Sequence, residues 1–101
     1  MTRYDKLVRD RIPDIIRAKG ETAVVRLASE QEYATKLKEK LSEEVTEYLE
    51  SGSPEELADI MEVVHALATL TGHGPADVER LRAEKADARG GFSKRIILEE
   101  S

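Results

Sequence analysis

"LSEEVTEYL", residues 41–49, has the spacing of an amphipathic helix and an acid where that helix should be apolar. Advancing about 100° per residue from Leu37, the side chains of Leu41, Val45 and Tyr48 fall within roughly 80° on one side, and Glu44 falls at about −20°, inside that arc. A carboxylate placed there costs on the order of several kcal/mol unless it is paired or bound to a metal. How this residue is accommodated decides both the fold and the function.

The helix containing Glu44 has clear ends. Ser29 with Glu32 three residues later is a capping-box pattern, and the chain then runs without Gly or Pro to Ser51. Ser53 with Glu56 repeats the pattern, Pro54 sits at a first helical position, and a second helix is predicted to about Thr71, before Gly72. The "SGS" turn between them is short enough to make the two helices antiparallel neighbours.

Upstream, Asp10 and Pro13 start a short helix with Ile12, Ile15 and Ile16 on one side, closed by Gly20. Downstream, a helix from Pro75 to about Ala88 is stopped by Gly90 and Gly91. "TAVVRLA" (22–28) and "RIIL" (95–98) read as short β-strands, able to pair with each other or across a dimer. The expected fold is mainly α: an antiparallel helical bundle with one or two short accessory strands, in a single domain spanning residues 1–101. There is no internal repeat, low-complexity segment or interdomain linker.

Composition narrows the function. A chain of 101 residues hides only about two thirds of its unfolded surface, so a second protomer is a reasonable expectation. Absence of cysteine excludes disulfides and thiolate metal sites and suits a reducing cytoplasm. The start, "MTRYDKLVRD", is charged, and no stretch is long and apolar enough for a bilayer, which predicts a soluble protein with no membrane partner. A net charge of −5 argues against general nucleic-acid binding, although an acidic protein can handle a polyphosphate through metal ions.

The second long helix repeats the anomaly of the first. With Leu57 at zero, the apolar residues Ile60, Met61, Val63, Val64, Leu67 and Leu70 span about 180°; Glu56 lies inside their arc and Asp59 just past its edge. Glu44 and Glu47 form E-x-x-E, and Glu56 and Asp59 form E-x-x-D, each an i, i+3 pair sharing a helix face. Either pair alone is common on a solvated helix, and Glu55 and Glu56 also suit a first turn through the helix dipole. Both pairs on consecutive helices, each touching the apolar stripe, are less ordinary. Four converging carboxylates need protonation, opposite charge or divalent cations, and oxygen ligands without Cys or His favour Mg²⁺ or Mn²⁺.

With "EEVTE" (43–47) followed by "ELAD" (56–59), the chain resembles the MazG-like nucleotide pyrophosphohydrolases, whose signature is E-E-x-x-E, a variable gap, then E-x-x-D. "YDKLVRDRIPDII" and "KADARGGFSKRIIL" resemble the flanks of a small phosphoribosyl-ATP pyrophosphohydrolase-like subgroup, so the likeness covers nearly the whole chain. One departure is the gap of eight residues between the acid pairs, which leaves little room for the loop that helps enclose a base in larger members. The resemblance implies an all-α bundle, a homodimer or homotetramer, and Mg²⁺-dependent hydrolysis between the α and β phosphates of a nucleoside triphosphate, giving a monophosphate and pyrophosphate. It also implies metal ligation by Glu44, Glu47, Glu56 and Asp59, with Glu43 as a supporting acid or water-orienting base.

The motif alone does not separate clearance of noncanonical or deoxynucleoside triphosphates from phosphoribosyl-ATP hydrolysis in histidine synthesis. A third reading is a catalytically silent helical oligomerisation or nucleotide-binding module.

Cations should offset the remaining phosphate charge. Lys85 falls at about −20° from Val78, between Val78 and Leu81 on the apolar face of its helix, and Arg89, Lys94 and Arg95 follow in "RGGFSKR". Snorkelling of Lys85 is the competing reading. Lys6, Arg9, Asp10 and Arg11 crowd the first helix, as a local Arg and Asp ion-pair network or as phosphate contacts. His65 and His73 read as ordinary, and Tyr33, Tyr48 and Phe92 as core or interface residues, Tyr48 adjoining the acidic face.

Overall fold

The computed structural model describes residues 2–101. Among the described residues four helices form: α1 (Ile12–Ala18), α2 (Glu30–Ser51), α3 (Pro54–Leu70) and α4 (Gly74–Arg89). Local capping chemistry starts α2 and α3. Ser29 Oγ accepts the Glu32 N–H at 3.2 Å, one half of the capping box, while the Glu32 carboxylate turns to Arg26. Ser53 Oγ accepts from Glu55 instead, at 3.2 Å, one residue short of the expected partner. Glu56 N–H donates to the Ser53 carbonyl, while its carboxylate lies with Glu44 and Asp59. Gly52 adopts φ +66°, and its N–H donates to the Tyr48 carbonyl, so α2 ends in a left-handed residue that a side chain would strain.

Two residues separate α2 from α3, and the helices turn back against each other; α3 also packs on α4, whereas α1 packs on no other helix. Leu37, Val63 and Ala68 are the buried apolar residues among those described, so the core sits at the α2–α3 contact. Glu44 shares it.

Neither expected strand forms among the described residues. Val24, Val25 and Leu27 are exposed, as are Ile96, Ile97 and Leu98. A strand needs a neighbour for its N–H and C=O groups. Residues 22–28 are instead tethered through side chains: Arg17 donates to the Ala23 carbonyl at 2.9 Å, and Arg26 forms a bidentate pair with Glu32. Residues 95–98 begin with Arg95 at φ +59°, its N–H bonded to the Phe92 carbonyl, so a turn closes where the strand should start.

The chain leaves an unusual amount of surface in water. Its radius of gyration is 17.7 Å, against about 13 Å for a compact chain of this length. Its accessible area is 8946 Å², against roughly 5,700 Å² for a folded monomer of this mass. Much of the excess is apolar, with Leu49 on α2, Leu57 and Met61 on α3, and Leu81 on α4 all exposed. Among the described residues, no helix is long and apolar enough to cross a membrane.

Candidate metal centre

The α2–α3 packing brings both acid pairs together. Glu43, Glu44 and Glu47 offer carboxylate oxygens within 4.8 Å of one another, and so do Glu44, Glu56 and Asp59 across the two helices. Glu44 belongs to both groups and is the most buried, at 6% exposure; Glu43, Glu47, Glu56 and Asp59 are half-buried. Helical periodicity makes this possible. Glu44 and Glu47 rise one turn apart on α2, Glu56 and Asp59 one turn apart on α3, and the tight Gly52–Ser53 turn sets the two turns side by side.

Glu44 carries the strongest physical signal. Its Oε1 lies 3.5 Å from Lys40 Nζ, but its buried Oε2 has no hydrogen-bond partner. Buried carboxylate oxygens are rarely left unpartnered, because losing water without a replacement costs roughly 1–3 kcal/mol or more. Burial pushes the Glu44 carboxyl up from the ordinary carboxylate range, and the nearby Glu47 and Asp59 charges push it further; Lys40 opposes them. Lys40 therefore compensates Glu44 only in part.

The surrounding cations come from two directions. Lys6 Nζ donates to Glu43 Oε1 at 2.8 Å, and Lys40 Nζ lies 3.6 Å from the same oxygen. The Lys6 hydrogen bond is the main reason that the Glu43 carboxyl is held low. Arg9 Nη2 donates to Asp59 Oδ1 at 2.8 Å. The segment that carries Lys6 and Arg9 is itself fixed by Lys36, which donates to the Asp5 carbonyl at 3.0 Å.

The donor set suits a hard divalent ion. All the available ligand atoms are carboxylate oxygens, as Mg²⁺ and Mn²⁺ prefer, and one is buried without a partner. Neighbouring oxygens of an octahedral Mg²⁺ shell lie about 3 Å apart and opposite ones about 4.2 Å, so carboxylates within 4.8 Å of each other would draw inward to close on an ion.

The cationic candidates separate into two sets. Lys6 and Arg9 reach the acids, through contacts spanning 37 and 50 residues, in place of the local pairing with Asp10 that their crowding suggested. Lys85 is exposed on α4 and not on an apolar contact face; Arg89, Lys94 and Arg95 are exposed as well, and none of the four bonds to the acids. Phe92, at 98% exposure, belongs to no core within this chain. Tyr33 and Tyr48 are half-buried, and His65 and His73 are exposed. Lys40 escaped notice although its position four residues before Glu44 is a readable i, i+4 signal. Lys36, one turn earlier on the same side, was missed too.

No family model matches the chain, and no solved structure matches it. Over 42 residues it is 57% identical to an uncharacterized protein of Mycolicibacterium smegmatis, a stretch covering 42% of this chain and 43% of that protein. The match thus spans less than half the length of either protein.

Proposed function

We propose that this chain is a Mg²⁺-dependent nucleotide pyrophosphohydrolase of the MazG-like kind, cleaving a nucleoside triphosphate between its α and β phosphates. The observation that carries the reading is the unpartnered, buried Oε2 of Glu44, set among Glu47, Glu56 and Asp59. A carboxylate held in this way at the main helix contact is costly in a purely structural role and useful as a ligand.

Glu44, Glu47, Glu56 and Asp59 hold the divalent ion in this scheme. Bound there, it would supply positive charge for phosphate oxygens and Lewis-acid activation of water. Glu43 stands beside the ligands as a hydrogen-bond acceptor for the attacking water. Lys6 and Arg9, already at the rim of the acids, are the cations placed to meet phosphate.

The antiparallel bundle is completed by a second copy in a homodimer or homotetramer. The exposed apolar residues of α2, α3 and α4 support this, as does the surface excess of the lone protomer. The cavity beside the acids, lined by Lys6, Leu7, Lys36, Glu39, Lys40 and Glu43, holds about 40 Å³. Pockets for drug-sized ligands hold about 300–1,000 Å³, so a base needs a wall from outside this protomer. Sedimentation should give a dimer or tetramer, and Met61→Lys should shift it toward monomer.

The direct test is pyrophosphate release from a panel of ribo- and deoxynucleoside triphosphates and phosphoribosyl-ATP, with Mg²⁺ or Mn²⁺. Metal-dependent release, reduced at least about 100-fold in Glu44→Gln, is the expected result. The panel also decides between phosphoribosyl-ATP and the other nucleotides. Absence of turnover with every substrate and metal would leave a silent helical module.

A further inference from the structure

The N-terminal segment offers a second use of the same acids. Residues 2–9 form neither helix nor strand, yet two of their side chains cross to the two helices that hold the carboxylates. Lys6 takes Glu43 on α2 and Arg9 takes Asp59 on α3, each at 2.8 Å. Glu43 and Asp59 are also members of the two groups of oxygens close enough to share an ion. A cation on nitrogen and a cation as metal therefore compete directly for Asp59 and, through charge, for Glu43 beside the ligands.

We propose that Lys6 and Arg9 are exchangeable counter-cations of the acid cluster: they neutralise Glu43 and Asp59 while no metal is bound, and leave them when metal binds, which frees both side chains for an anionic ligand. This rests on the metal-centre reading above. The physical basis is the accumulation of Glu43, Glu44, Glu47, Glu56 and Asp59 in one place, where like charges repel and the fold without metal needs positive charge nearby. Lys40 supplies part of it from within α2. Lys6 and Arg9 supply the rest from a segment attached by few bonds, and their side chains stay about half exposed, at 49% and 56%. Ion pairs that open to water are weak and exchange readily. Tight, fully buried pairs would block the metal; these only compete with it.

Competition is reciprocal: if metal weakens the two ion pairs, the ion pairs weaken metal binding by the same factor. The 101-residue chain is titrated calorimetrically with Mg²⁺ or Mn²⁺, beside Lys6→Met/Arg9→Met and the charge-conserving Lys6→Arg/Arg9→Lys. The Met variant should bind the ion about five- to tenfold more tightly, because two exposed ion pairs no longer oppose it, while the conserving variant should stay close to wild type. A parallel readout uses the wild-type protein alone: brief acetylation followed by mass spectrometry, in chelator or in saturating Mg²⁺. Labelling of Lys6 should rise severalfold with metal, and labelling of Lys38, exposed on α2 without an ion pair, should not.

Unchanged or weaker metal binding in the Met variant would overturn the proposal and make Lys6 and Arg9 structural props. Tighter binding without added Lys6 labelling would also overturn it, leaving the two residues as background charge. If the wild-type chain binds neither ion, the metal centre itself is refuted, and the exchange with it. That outcome is visible before any variant is compared.

Discussion

Helices α2 and α3 close over Glu44, whereas α4 leaves Lys85 in solvent, although each residue sits at about −20° on the apolar side of its own wheel. The difference lies in what covers the stripe. The apolar side of α2 meets α3, and the Lys6–Arg9 segment bonds to acids on both helices. Helix α4 packs on α3 alone and keeps Leu81 half out at 49% exposure. Side-chain reach adds to this: a lysine carries its charge on a four-carbon stem and can snorkel, while a glutamate on a covered face has nowhere to go. A charged residue on an apolar arc thus marks a site only where a second element packs over it.

The sharpest way to break this comparison is to add metal. At a hundredfold excess over its dissociation constant, Mg²⁺ should stabilise the wild-type chain by about 2.7 kcal/mol. Thermal unfolding of Glu44→Gln should show none of this gain, and Lys85→Gln should show all of it. Equal loss in both variants would place the ion elsewhere.

Without metal the two sites should differ in the opposite sense. Glu44 has a raised carboxyl pKa in the folded protein, so its ionised form destabilises the fold above that pKa, and the penalty fades as pH falls and the folded state takes up the proton. Glu44→Gln should therefore be more stable than wild type at neutral pH, by on the order of 1 kcal/mol, with the gap closing toward acid. Lys85→Gln should stay within about 0.5 kcal/mol throughout, as for ordinary surface changes. Chemical denaturation at several pH values reads both.

The smallest effect belongs to Glu43, whose carboxyl is held low by Lys6. A depressed folded-state pKa contributes stability that is present above the unfolded value and lost as pH falls through the folded one. Lys6→Met should remove that contribution and flatten the acid limb of the stability profile. The neutral-pH melting temperature should move by no more than about 2 °C.

The helix ends were legible because caps are local. Ser29, Gly52, Ser53 and Pro54 act on neighbours within four residues, and the structure places α2 and α3 within a residue or two of where those signals put them. That Glu44 joins Glu47 on its own helix and Glu56 and Asp59 across the turn was legible for a related reason: helical periodicity and a two-residue turn leave little freedom in how the facing acids meet. Residues 22–28 and 95–98 misled because β-branched composition records a side chain's preference, while a strand exists only with a partner for its backbone.

By itself, the sequence determined a mainly helical chain with two acid pairs on facing helices, since propensity, capping and periodicity act over a few residues. Only the tertiary structure decided that Glu44 keeps a buried oxygen unpartnered, that Lys85 stays in water, and that Lys6 and Arg9 cross 37 and 50 residues to reach Glu43 and Asp59. Burial and long-range charge pairing depend on which surfaces meet, and no local pattern of residues records that.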